Sequence, residues 1–313
     1  MLLRRSSGKK NRSKIAITVK DAILKVFYSP IGRMIPDKNY IMIMYRLRAR
    51  KHLNLDTPMS FNEKLQWLKL YDRKPVYTSM VDKHEAKGYV KDKIGEEHII
   101  PTLSVWESFD DIDFSKLPDQ FVLKCTHDSG GLVICRDKSC LDVDEARKKI
   151  NKCLKRNFYY VGREWPYKNV KPRIIAEKYM VDGQESEHDI GLTDYKFFCF
   201  NGKPKFLYVS KNLTNHTYAR ISFATLDWKL SPFYRNDYQP FKELPEKPKC
   251  FEEMICLAEK LSQGMKFLRV DLYEVKGKVY FSELTFCPCN GLFPFEPPEW
   301  DYKLGEMIDL DEF

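Results

Sequence analysis

Two segments, Phe267-Leu-Arg-Val-Asp-Leu-Tyr273 and Lys278-Val-Tyr-Phe-Ser-Glu-Leu-Thr285, constrain the fold more than any other part of this chain. Each reads as a β-strand, and the chain reverses between them near Gly277, which predicts an antiparallel hairpin. Arg269 and Asp271 are two residues apart and therefore share a face. Glu283 returns close to Asp271 on the second strand. Two carboxylates this near repel one another unless a cation neutralises them. Arg269 supplies part of that charge, and a Mg²⁺ ion held against phosphate groups would supply the rest. The stretch Glu283-Leu-Thr-Phe-Cys-Pro-Cys-Asn-Gly291 then runs into a loop whose backbone N–H groups can face a developing oxyanion.

Three further segments suit the same phosphate chemistry. Phe121-Val-Leu-Lys-Cys-Thr-His-Asp-Ser-Gly-Gly131 places Lys124 on a strand, with Val122 on its face, ahead of the turn Ser129-Gly130-Gly131. A lysine on such a strand is costly unless it meets water or an anion, and a glycine turn lets main-chain N–H groups approach phosphate closely. The pattern is not the glycine-rich loop followed by Lys-Ser/Thr of the P-loop enzymes. Ile174-Ile-Ala-Glu-Lys-Tyr-Met180 reads as a strand whose polar end can bond an adenine edge, with Glu185 placed to accept from a ribose hydroxyl. Asp194-Tyr-Lys196 opens another strand with charged residues.

Around these motifs the pattern predicts an α+β chain with several antiparallel hairpins rather than a doubly wound parallel sheet. Residues 34–77 read as helical, with a capping box at Ser60-Phe-Asn-Glu63. Residues 79–94 read as a helix starting near Asp82-Lys83, and a short strand is expected to end at Ile99-Ile100, before Pro101. Asp142 caps a helix running to about Arg156. Asn201-Gly202 joins strands 195–200 and 205–209. Residues 251–263 have the apolar spacing of an amphipathic helix that Gly264 can end.

The chain has 313 residues, 43% of them hydrophobic, which is enough for a sizeable core. No stretch approaches the roughly 20 apolar residues of a membrane span, and the N-terminus lacks the apolar core of a secretory signal. The net charge is +9, and the first 14 residues carry six basic side chains and no acid. A solvated basic tail accounts for this, with attraction of residues 1–28 to an anionic membrane face as the functional reading; nucleic acid is not an expected partner. The nine cysteines are scattered through apolar segments, so free thiols of a cytoplasmic protein are expected, with no disulfide framework and no zinc cluster.

Taken in order, these features resemble the ATP-grasp superfamily, and within it the TupA-like (teichuronopeptide biosynthesis) family associated with bacterial surface polysaccharides. The resemblance rests on Met80-Val-Asp-Lys83, Leu117-Pro-Asp-Gln-Phe-Val-Leu-Lys124, Arg163-Glu-Trp-Pro-Tyr167, Asp194-Tyr-Lys-Phe-Phe-Cys-Phe-Asn-Gly202, and Arg269-Val-Asp-Leu-Tyr273 with Glu283-Leu-Thr-Phe286. It covers about residues 60–310. It implies an ATP-grasp fold in which two β-rich lobes clamp ATP behind a helical N-terminal region. The implied divisions are a basic disordered tail at 1–14, helices at 15–78, a preceding segment at 79–120, an N-lobe at 121–184 and a C-lobe with the metal hairpin at 185–313. Lys83, Lys124 and Lys196 would contact the phosphates, and Ser129, Gly130 and Gly131 would close over them. Glu177, Lys178, Tyr179 and Met180 would hold adenine, and Glu185 the ribose. Asp271 and Glu283 would bind Mg²⁺ together with Thr285, which stands where many members carry Asn, so that Asn290 or water would complete the shell. Arg269, Lys196 and the loop at Gly291 would face the reacting acyl phosphate.

The implied reaction is ATP-dependent ligation of a hexuronic-acid carboxylate, in a glycan or its precursor, to an amino acid or other amine, in the cytoplasm or at the inner face of the membrane. A kinase of the same fold would share the ATP half. A glycosyltransferase would use an Asp-x-Asp metal motif, which occurs at Asp111-Ile-Asp113. A non-catalytic basic binding module would need only the tail. The run from Arg156 to Tyr167 suits either a packed loop or contact with an anionic sugar polymer.

Overall fold

The structure, a computed structural model, describes residues 24–183, 191–211 and 219–311. The basic tail, residues 15–23 and Glu185 lie outside them.

Two antiparallel sheets carry the fold. The first has the order β1-β4-β2-β3, from β1 (Thr102–Trp106), β2 (Phe121–Cys125), β3 (Leu132–Cys135) and β4 (Ile174–Lys178). The second has the order β10-β9-β5-β6-β7, from β5 (Asp194–Phe200), β6 (Lys203–Lys211), β7 (Arg220–Thr225), β9 (Phe267–Val275) and β10 (Lys278–Thr285). A two-stranded ribbon pairs β8 (Tyr234–Arg235) with β11 (Phe295–Glu296). Antiparallel pairing dominates, as an α+β reading of the sequence expects.

Alternation sets what each sheet covers. On β2, Phe121, Leu123 and Cys125 point into a core shared with helix Val143–Leu154, which Asp142 caps by accepting from Glu145 N–H. Val122 and Lys124 occupy the opposite face. In the second sheet, Phe197, Cys199, Val270 and Leu272 pack beneath helices Ala86–Ile94 and Phe251–Ser262. The other face of that sheet is divided. Phe198, Phe200, Phe206 and Phe267 pack against Phe61 and Leu65 of helix Phe61–Tyr71, whereas Asp194, Lys196, Arg269 and Asp271 lie toward the cleft between the sheets. The capping box at Ser60 is present in full, with Ser60 Oγ accepting from Glu63 N–H and Glu63 accepting from Ser60 N–H.

Four local expectations are corrected. The helical stretch 34–77 is broken after Asp37–Ala49, because Arg50 turns left-handed at φ 58°. No helix starts at Asp82-Lys83. Val76–Val81 ends there and Ala86–Ile94 follows, with the Asp82 carboxylate accepting from His84 and Glu85 N–H. The strand expected to end at Ile100 begins after Pro101 instead, since the Pro101 carbonyl takes Lys178 N–H at the edge of β4. β1 pairs with β4, so the first sheet starts well before residue 121.

Candidate active site

The polar end of the second sheet is built on one row of residues. Lys196 on β5 pairs in register with Asp271 on β9, and Asp271 with Glu283 on β10. A register shift between Phe281 and Glu283 brings Glu283 onto that row. Asp271 is fully buried and accepts three charge-assisted hydrogen bonds: Arg269 Nε at 2.7 Å, Arg269 Nη2 at 2.7 Å and Lys196 Nζ at 2.6 Å. Arg269 Nη2 also reaches Glu283 Oε1 at 2.9 Å, and the Thr285 hydroxyl donates to the same oxygen at 3.2 Å. Asp194 Oδ1 lies 3.1 Å from Lys196 Nζ but makes no hydrogen bond.

The charges hold one another. Burial opposes the Lys196 ammonium, yet Asp194 and Asp271 keep it well above its ordinary pKa. Burial likewise opposes the Arg269 guanidinium, and Asp271 reverses the effect. Burial alone would raise Glu283, but Arg269, Lys83 and Lys196 outweigh it and hold the carboxyl at about 2. Glu283 is thus an anion at all ordinary pH, and its side chain is 38% exposed in the cleft.

Across the cleft, the first sheet presents its own charged cluster. Glu177 Oε2 accepts from Lys124 Nζ at 2.6 Å and Oε1 from Lys87 Nζ at 2.5 Å. Lys87 also donates to the Ile100 carbonyl and the Thr102 hydroxyl, which ties helix Ala86–Ile94 to β1. Beside this trio lies a cavity of 270 Å³ bounded by Val122, Ile134, Lys178, Tyr179 and Met180 of one lobe and by Leu192, Asp194 and Tyr273 of the other. It has apolar walls with a few convergent polar groups.

Lys83, in the turn between two helices, donates to the Asp128 carbonyl at 2.7 Å and adds to the positive field on Glu283. The glycine turn is braced from below. Arg156 Nη2 holds both Asp128 oxygens at 2.5 Å, and Asp128 Oδ1 accepts Ser129 N–H. Ser129 and Gly130 are exposed, while a side chain at Gly131 would meet Cys125 Sγ at 2.5 Å.

The structure therefore gathers Lys83, Lys124, Lys196, Glu177, Lys178, Tyr179, Met180, Arg269, Asp271, Glu283 and Thr285 around one cleft. Gly291 ends the turn Pro288–Gly291. Its carbonyl accepts from Gln66 Nε2 at 2.7 Å, and it packs against Leu65 and Gln66 of helix Phe61–Tyr71 with φ +65°. Asn290 packs against Gly162, and its carbonyl accepts from Gln66 and Lys69. The Asp-x-Asp segment is taken up in turns, with Asp113 accepting from Ser115 N–H. The 156–167 run holds the short helix Tyr159–Gly162, and Arg163 is buried over the rings of Tyr40, Tyr159 and Tyr160 and donates to the Gly32 carbonyl. Sequence reading missed Lys87, whose one signal is its position four residues after Lys83. It also missed Glu164, a buried carboxyl that burial pushes up to about 7 against the pull of Lys69 and Arg269.

Asp271 and Glu283 fit Mg²⁺. They are hard oxygen donors facing one another in register, and no third histidine, cysteine or acid completes a cluster with them among the described residues. Mg²⁺ takes one or two carboxylates and leaves its other positions to water and phosphate.

The family model described as TupA-like ATPgrasp matches residues 63–309, which include every charged residue of the cleft. The chain belongs to the TupA-like ATP-grasp family. Its fold is accordingly ATP-grasp, α+β with two β-rich lobes. No curated protein matches the sequence. Among solved structures, a D-alanine–D-alanine ligase from Bacillus anthracis complexed with ATP shares 17% identity over 66% of this chain and 53% of its own, at a TM-score of 0.36. The ATP-grasp ligase PsnB, complexed with a precursor variant, Mg and ADP, shares 7% over 72% and 57%, at 0.38. A D-alanine–D-alanine ligase from Helicobacter pylori shares 12% over 80% and 67%, at 0.41. The chain spans little more than half the length of the first two.

Proposed function

We propose that this chain is an ATP-dependent carboxylate–amine ligase, releasing ADP, that joins a uronic-acid carboxylate of a surface polysaccharide or its precursor to an amino acid or other amine. The observation that carries this reading is the row Lys196–Asp271–Glu283, crossed by Arg269 and facing a cavity walled by both sheets. Phosphoryl transfer asks mainly for positioning and charge stabilisation, and this cleft offers both.

In this reading the substrate's adenine occupies the 270 Å³ cavity against Tyr179 and Met180. Lys124, Lys83 and the Ser129–Gly131 turn line the path of the phosphates. Lys196 exchanges its contact with Asp271 for a phosphate oxygen. Asp271 and Glu283, with the Thr285 hydroxyl, hold Mg²⁺, which when bound neutralises phosphate charge. Arg269 stays within reach of the transferred group through its free N–H bonds. An oxygen of the acceptor carboxylate takes the γ-phosphoryl group and ADP leaves. The amine nitrogen then attacks the acyl carbon, phosphate departs, and an amide remains. The cytoplasm, where ATP is abundant, is the proposed compartment; no helix among the described residues is long and apolar enough to cross a membrane.

The test is nucleotide analysis of purified protein with ATP, Mg²⁺, a panel of uronates and a panel of amines. ADP and phosphate that accumulate only when both a uronate and an amine are present support the reading. AMP and pyrophosphate, which mark adenylation, overturn it, as does a stable phosphoester formed without amine.

A further inference from the structure

A second cavity lies apart from the nucleotide cleft. It measures 730 Å³, within the range of small-molecule pockets, and lies between helix Asp37–Ala49, helix Phe61–Tyr71 and the loop that follows β10. Cys289 and Asn290, of the turn Pro288–Gly291 that begins three residues after Thr285, form part of its wall. Gln66 and Lys69 fix that turn by donating to the Asn290 and Gly291 carbonyls. One loop is thus shared by the cavity and the carboxylate hairpin.

The charges lining this cavity are unevenly satisfied. Of its two acids, Asp237 receives Arg235 at 2.5 and 2.7 Å, whereas Asp301 accepts Asn62 N–H and Nδ2 at 3.0 Å and feels the charge of Lys51. Its three cations form no close ion pair among the described residues. Arg48 donates to the Tyr28 hydroxyl, Lys69 is buried with oxygens of carbonyl type only, and Lys51 lies over the Tyr302 ring; none has a carboxylate within 4 Å among the described residues. Burial depresses the Lys69 pKa despite the nearby Glu164 carboxyl. The walls between these charges include Tyr28, which is 44% exposed with Arg48 over its ring, whereas Phe293 is buried beneath Arg235. Rings offer a sugar a flat apolar surface, and unmatched cations at the rim attract carboxylates.

We propose that this cavity is the acceptor site and takes an acidic saccharide, its carboxylates drawn by Arg48 and Lys51 and one sugar ring lying on Tyr28. The assignment names the substrate pocket of the ligase reading and rests on it for the word acceptor, whereas the binding itself does not.

The test is calorimetric titration of the full chain, without nucleotide, using tetragalacturonate and the neutral maltotetraose. Tetragalacturonate is expected to bind, more weakly as salt rises, and maltotetraose at least tenfold more weakly. The exposed pair Arg48→Glu and Lys51→Glu should weaken tetragalacturonate tenfold or more while leaving the affinity for Mg²⁺ and ATP unchanged. Equal binding of the two saccharides, or unchanged tetragalacturonate affinity in the double variant, would overturn the proposal. Either result leaves the nucleotide cleft standing, and a failure of ATP uptake leaves the saccharide titration readable.

Discussion

At the scale of the residue, the cleft is organised by buried charges that depend on one another. Asp271 neutralises two buried cations, so Asp271→Asn leaves both without their shared carboxylate. Breaking a buried pair in this way costs on the order of 3–5 kcal/mol, and denaturant unfolding should show a loss of that size together with turnover below a hundredth of the parent. Glu177 and Glu164 make opposite demands on pH. Burial works against the charge of Glu177, but Lys124 and Lys87 prevail and hold it at about 2, below its ordinary 4.5. Its contribution is therefore complete above about pH 4.5 and is lost as the pH falls toward 2. Glu164 is raised by burial to about 7, so the stability tied to its neutral form is complete below about pH 4.5 and is lost as the pH rises through 7. Glu164→Gln should raise Tm at pH 8 and leave it nearly unchanged at pH 5. An unchanged Tm at pH 8 would show that Glu164 ionises without cost.

At the scale of the element, function depends on where turns are pinned. Gly291 has φ +65°, and a side chain there would meet Gln66 Nε2 at 2.5 Å. Gly291→Ala should therefore displace the loop from helix Phe61–Tyr71, destabilise the fold by about 1–3 kcal/mol, and lower turnover, with ATP affinity changed less than threefold. Wild-type turnover in that variant would detach the loop from catalysis. Much of this level was legible in the sequence. Alternation alone put Arg269 and Asp271 on one face, Asn201-Gly202 marked the β5–β6 turn, and Ser60 with Glu63 gave the capping box. What was hidden has physical causes. The shift between Phe281 and Glu283 that places Glu283 opposite Asp271 is a pairing irregularity that residue counting does not reveal. Lys87 sits in a lysine-rich stretch, and its partner Glu177 is 90 residues away in sequence yet 2.5 Å away in space. Gly291 reads as an oxyanion loop by composition, but its close approach to Gln66 follows from helix packing.

At the scale of the whole molecule, two antiparallel sheets meet along one cleft: Lys124 and Glu177 come from one sheet, Lys196, Arg269, Asp271 and Glu283 from the other, and Lys87 from helix Ala86–Ile94. The N-terminal helices add a second cavity, lined in part by Cys289 and Asn290 of the turn Pro288–Gly291. The central claim is that the cleft receives a nucleoside triphosphate together with a divalent ion. Isothermal titration of ATP into the full chain, with and without Mg²⁺, tests it directly. The account predicts saturable uptake of about one ATP per chain that weakens at least tenfold when Mg²⁺ is withdrawn, and weakens again in Lys124→Ala. No ATP uptake by folded protein in the presence of Mg²⁺ would contradict it.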